Sequence, residues 1–172
     1  MRVNKSTNLR STAKYFSLFI IAIWLYCISP AAVNAAVYIV TTASDSGAGS
    51  LRQAIADANS NAGADTINFD TAGGFATPQT ITLTSGELSI TDDLAISGTG
   101  ADKLTISGNN IRWPVFLTVT DHNVTISGLT ISGGHAAQGG GIFNLGTLTI
   151  HDCIVSGNRA SGGKGGGIHN RG

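Results

Sequence analysis

The segments LTISGNN (from Leu104), LTISGGH (from Leu129) and CIVSGNR (from Cys153) follow one another at intervals of 25 and 24 residues, with a looser version, ITLTSG (from Ile81), 23 residues before the first. Self-similarity at such a period belongs to chains that stack on themselves. A second series runs between the copies of the first: ELSI (Glu87), PVFLTV (Pro114), GIFN (Gly141) and GIHN (Gly167), the last two 26 residues apart. LAISG (Leu94), VTISG (Val124) and TLTI (Thr147) form a third. Each member is short and alternates apolar with polar residues, the pattern of a half-buried strand. Hairpins would require paired turn signals such as Asn-Gly between adjacent strands. Here the same strand returns as every third element, so each copy stacks in parallel on the one before. The expected fold is all-β: a right-handed single-stranded parallel β-helix of about four rungs, three short strands each, over residues 76–172.

Such a coil must turn within two or three residues at every corner, which explains 23 glycines against only 3 prolines. Glycine accepts positive φ without a Cβ clash, and asparagine tolerates the same region. Asn144 and Asn170 are therefore expected to stack as a turn ladder, and Ser107, Ser132 and Ser156 to stack at the Ser-Gly corner. Ile142 and Ile168 are expected to point inward, one above the other.

Residues 36–75 read as an N-terminal cap of strand, helix and strand. SLRQ is a capping box in which Ser50 takes the Gln53 amide while the Gln53 side chain reaches back. Leu51, Ala54, Ile55 and Ala58 then form one apolar stripe, predicting an amphipathic helix over 51–59 that closes the open bottom of the coil. Residues 1–35 read as a secretory signal peptide. Arg2, Lys5, Arg10 and Lys14 precede the apolar run Tyr15 to Ile28, and Val33 and Ala35 place cleavage after Ala35. Beyond that point ten acidic residues face six basic ones, a net charge of −4 that disfavours nucleic acid and anionic membranes as partners. Removal of Cys27 leaves Cys153 alone, so no internal disulfide is expected.

VTTASDSGAGSLRQAIADANSNAGADTINFD (Val40 to Asp70) resembles the amino-terminal module, with its Ser-Leu-Arg-Gln-Ala core, of large bacterial surface β-helix proteins. GGGIFN…LTI…SGN resembles the polymorphic outer membrane protein repeat, with Gly141 in place of its alanine and Phe143 followed directly by Asn144. The resemblance implies a secreted or cell-surface, outer-membrane protein, often adhesive and usually far longer. Gly172 falls inside a rung, so a C-terminally truncated fragment is expected, one that self-associates through its open last rung.

Residues able to carry chemistry are sparse. Asp92, Asp93, Asp121 and Asp152 are the acidic candidates, and Asp93 and Asp121 both precede third-series strands. A lyase would need several carboxylates converging on Ca²⁺ together with a base. His122, His135, His151 and His169 share no spacing, and GGKGGG (Gly162 to Gly167) lacks both the aspartate of a calcium repeat and the Ser or Thr of a phosphate loop. Neither a catalytic residue, a metal ligand nor a cofactor is assigned. Trp113, with Arg112 beside it, is either a glycan-stacking platform or a corner tryptophan covering the coil. The expected function is a non-enzymatic adhesin-like or structural surface module whose partner is a glycan or a host or matrix surface. The alternative is a carbohydrate-active enzyme fragment or a glycan-binding β-helix.

Overall fold

The computed structural model describes residues 34–172; most of the leader expected over 1–35 lies outside the described residues. The described residues coil into a parallel β-solenoid of about five turns, with one short helix among them. The first wall stacks β1 (Val37–Val40), β2 (Asp65–Phe69), β5 (Leu94–Ser97), β8 (Asn123–Ser127) and β12 (Thr147–His151). The second stacks β3 (Gln79–Thr82), β6 (Leu104–Ser107), β9 (Thr130–Ser132) and β13 (Ile154–Ser156). The third stacks β4 (Leu88–Ile90), β7 (Phe116–Thr118), β11 (Ile142–Asn144) and β15 (Ile168–Asn170). All these pairings are parallel. The three walls correspond to the three interleaved series. The first wall reaches five levels because β1 and β2, expected in a separate cap, join the three strands of its series.

Period-two alternation sets what lies inside. Ile67, Ile96 and Ile126 form a fully buried column in the first wall, and Ile81, Ile106 and Ile131 another in the second. The sequence alignment of Ile81 with Leu104 is corrected by two residues, since Ile81 pairs with Ile106 and Gln79 with Leu104. A shift of two keeps every side chain on its own face, so the core is the same in either register. Ile142 does sit over Ile168, and Ser107, Ser132 and Ser156 align.

The asparagine ladder is present but is not a turn device. Asn144 ends β11, fully buried, beneath Asn170 and above Thr118 and Ile90, so the third wall carries an inward polar column. Thr118 Oγ1 bonds Asn144 Oδ1, and Asn144 Nδ2 donates to Gly146 O at 2.6 Å and to Asn170 Oδ1. Among the described residues, the non-glycine positions with positive φ are Asn109, Asn110, Asp121 and Asp152. A buried carboxamide survives because donors and acceptors above, below and beside it are aligned by the stacking itself.

Two strands escaped the sequence reading. β10 (His135–Gln138) and β14 (Arg159–Lys164) pair in parallel and add a fourth wall to the last two turns. The register runs from Ala136↔Ala160 to Gln138↔Lys164 across a bulge. That bulge reconciles the 24-residue spacing of the second wall with the 26-residue spacing of the third, by leaving two extra residues unpaired.

The helix α1 (Leu51–Ala58) buries Leu51, Ala54, Ile55 and Ala58 and ends one residue earlier than expected, with Asn59 as its C-cap. Ser50 Oγ accepts the Gln53 amide at 3.2 Å as expected. The return half of the capping box is corrected: Ser50 N–H is already bonded to Gly47 O at 3.2 Å, so the Gln53 side chain instead donates to Asp57 one turn on, at 2.7 Å. Asn59 serves the sheet as well. Its Nδ2 donates to Ser89 O at 2.9 Å and its Oδ1 accepts Thr91 N–H at 2.8 Å, closing the free edge of β4 as a neighbouring strand would.

Candidate functional site: an aromatic groove on the third wall

The residue after each inward isoleucine of GGGIFN and GGGIHN must face out. On β7, β11 and β15 those outward positions are Leu117, Phe143 and His169, in register. The Phe143 and His169 rings stack with centroids 5.4 Å apart and planes 20° from parallel. One rung below Leu117 the column continues as Ser89.

Two elements raise this column into a groove. Before β7 the chain makes a tight corner, with Ile111 N bonded to Gly108 O at 3.1 Å and Trp113 N to Ile111 O at 2.7 Å. Pro114 follows, and the Trp113 carbonyl accepts His135 N–H at 3.2 Å, tying the corner to the start of β10. Trp113 is held in place by its backbone while the residue remains 49% exposed. The other bank is β10 itself, with Ala136, Ala137 and Gln138. Between the banks is a groove of about 470 Å³ that also reaches Glu87, Arg112, Leu117, Phe143 and Arg171. A second hollow of about 310 Å³, lined by Arg112, His135, Ala137 and Ser161, adjoins it across Arg112. Trp113 and its chain neighbour Arg112 both line the groove, together with Phe143, Gln138 and Arg171. Sequence reasoning singles out neither ring for this face, taking His169 only as one of four histidines without shared spacing, although the 26-residue spacing of Phe143 and His169 within the repeated motif places both on one outward column.

Ring faces, two guanidinium groups, a carboxamide and a carboxylate in one elongated cleft suit a flat, hydroxylated ligand. Apolar CH faces stack on aromatic rings while hydroxyl and acidic groups bond the planar side chains.

The acidic candidates lie elsewhere. Asp92, Asp93 and His122 meet at the corner before β5 and β8, His122 Nδ1 lying 3.5 Å from an oxygen of each carboxylate, with one ligand atom from each residue within 4.8 Å of the others. Asp93 is already engaged, accepting the Asn123 N–H at 2.7 Å. That backbone bond, followed by the Asn123 side chain and His122, holds its carboxyl below the usual range despite some burial. The arrangement clamps one rung to the next. Asp121 and Asp152 occupy left-handed corner positions, and His135 and His169 lie on different strands. Cys153 faces the core half-buried, its thiol pushed up in pKa by burial.

Comparison with protein-family models, with curated proteins and with solved structures finds no match to this chain.

Proposed function

We propose that this chain is an exported, non-enzymatic β-solenoid module of the adhesin-like, cell-surface kind, which holds a glycan chain along the outer face of its third wall. The observation that carries the reading is the groove in which Trp113 and the stacked column of Phe143 lie beside Arg112, Arg171 and Gln138. The leader motif read from residues 1–35 supports the surface location. The net charge of −4 after Ala35 argues against a nucleic-acid role. Glu87 is the one carboxylate among the groove residues, short of the pair that glycoside hydrolysis uses, which favours holding over turnover. Two guanidiniums against that single carboxylate favour glycans bearing uronate or sulfate groups.

The test is a glycan array followed by calorimetry on the exported protein. Acidic glycans are expected to bind, and Trp113→Ala and Phe143→Ala each to weaken binding roughly two- to thirteenfold, the range set by losing one stacked ring at about 0.5–1.5 kcal/mol. Wild-type protein that binds no glycan, or binding indifferent to both substitutions in folded variants, refutes the proposal.

A further inference from the structure

The inward face of the first wall carries a carboxylate where every later turn is apolar. Asp65 opens β2 in the register position that Leu94, Val124 and Leu148 hold on the turns above. It is 1% exposed. Its Oδ1 accepts the Ala36 backbone N–H at 2.7 Å and Asn61 Nδ2 at 2.8 Å. Its Oδ2 is buried without a hydrogen-bond partner, and among the described residues no basic side chain pairs with it. A carboxylate buried in an apolar column without a counter-charge is costly.

The donor at 2.7 Å is an unusual backbone group. Ala36 directly follows Val33-Asn34-Ala35, the small-x-small signature of leader cleavage. Ala35 is exposed, whereas Ala36 is half-buried and its carbonyl accepts the Thr66 N–H at 2.9 Å. Asn34 is also held, its N–H donating to the Ala62 carbonyl at 3.0 Å and its own carbonyl accepting Asn61 Nδ2 at 2.6 Å, but the first residue bonded into the ladder of the first wall is Ala36, the first after the expected cut.

We propose that leader removal creates the counter-ion of Asp65: the α-ammonium group of Ala36, which docks on the buried carboxylate and locks the base of the solenoid. In an export leader peptidase, water adds across the Ala35–Ala36 bond. The carbonyl carbon takes the oxygen and leaves as the leader's carboxylate, while the Ala36 nitrogen keeps the bonding pair and takes up protons to become ammonium. The intact chain offers Asp65 one N–H and no charge from this nitrogen. The cleaved chain offers three N–H groups and a positive charge, enough to keep the bond to Oδ1 and supply Oδ2. The other titratable residues at this corner are Tyr38 on β1, whose hydroxyl donates to the Asp57 carbonyl of α1 at 3.3 Å, and Asp93, whose backbone carbonyl accepts the Asp65 N–H at 3.1 Å. The inference is independent of the groove.

The experiment exports the full 172-residue chain from a bacterial host, reads the mature N-terminus by mass spectrometry and acetylates the folded protein with an N-hydroxysuccinimide ester at pH 7.5. The mature chain is expected to begin at Ala36. Its amine is expected to react about tenfold more slowly than the exposed Lys103 and Lys164. That reverses the ordinary order, in which an α-amine of pKa about 7.7–8.0 outruns lysine at about 10.4. Asp65→Asn restores the ordinary order, which separates charge pairing from simple burial. Should that variant not fold, alkaline unfolding decides. The lock raises the folded pKa of the ammonium, so its stabilisation is present below about pH 7.7 and lost as pH rises through the raised value. Chain kept intact by Ala35→Leu shows no such loss. A mature chain beginning elsewhere, or an Ala36 amine that reacts as fast folded as in urea, overturns the proposal.

Discussion

Single residues decide where this solenoid is rigid. Asn144 is the clearest case, because its carboxamide joins three successive levels of the third wall through Thr118, Gly146 and Asn170. Asn144→Ala strands a buried hydroxyl and a buried carbonyl, and is expected to cost about 1–3 kcal/mol in urea unfolding. Gly140 is equally constrained, since a Cβ there would lie 2.3 Å from the Arg159 carbonyl of the next turn. Gly140→Ala is expected to destabilise by about 1–3 kcal/mol, measured the same way. Asp45 governs the acid limit. Burial alone would raise its carboxyl, yet bonds from Arg52, Ser85 and Thr84 together hold it well below the usual carboxylate range. A depressed folded pKa gives stability that is present above the unfolded value of about 3.9 and is lost as pH falls through the folded one. Thermal melts should therefore show Asp45→Asn eliminating part of the stability difference between pH 6 and pH 2.

At the scale of elements, α1 acts through its polar residues as much as its apolar stripe. Arg52 donates to Asp45 Oδ1 at 2.7 Å and to the carbonyls of Glu87 and Gly86 at 2.7 and 2.8 Å, tying the helix to the segment that leads into β4. Arg52→Ala is expected to raise hydrogen exchange in β4 and the 84–87 segment while leaving β9 and β13 unchanged. The strands were legible because an inward apolar residue at every second position, repeated at a fixed period, settles which faces stack, although it leaves a slip of two residues open, as at β3. The helix was legible from Leu51, Ala54, Ile55 and Ala58. β10 and β14 were not, since HAAQ and RASGGK lack alternating β-branched residues and are held extended by the neighbouring turn rather than by local preference. The partners of Arg52 were hidden for a related reason: they lie up to 35 residues away and face each other only once the coil has closed. Trp113 and Arg112 could be suspected from sequence, but the groove depends on β10 forming its second bank.

For the molecule as a whole, stacking makes the end turn the sensitive one. In the 172-residue polypeptide the outer edges of β12, β13, β14 and β15 have no strand partner among the described residues, with Ile154 and Ile168 50% and 39% exposed and Leu148 and Ile150 only partly covered. Such a polypeptide is expected to associate through that face, visible as concentration-dependent elution in size-exclusion chromatography; a monomer at all concentrations would show that the edge protects itself. The irregularity between Ala136/Ala160 and Gln138/Lys164 bears on the molecule differently. Because two added residues are absorbed there without displacing Ile168 from Ile142, neighbouring levels need not be of equal length. That corner is therefore a place where the chain can be spliced, letting new loops be inserted beside the groove while every rung above and below keeps its address.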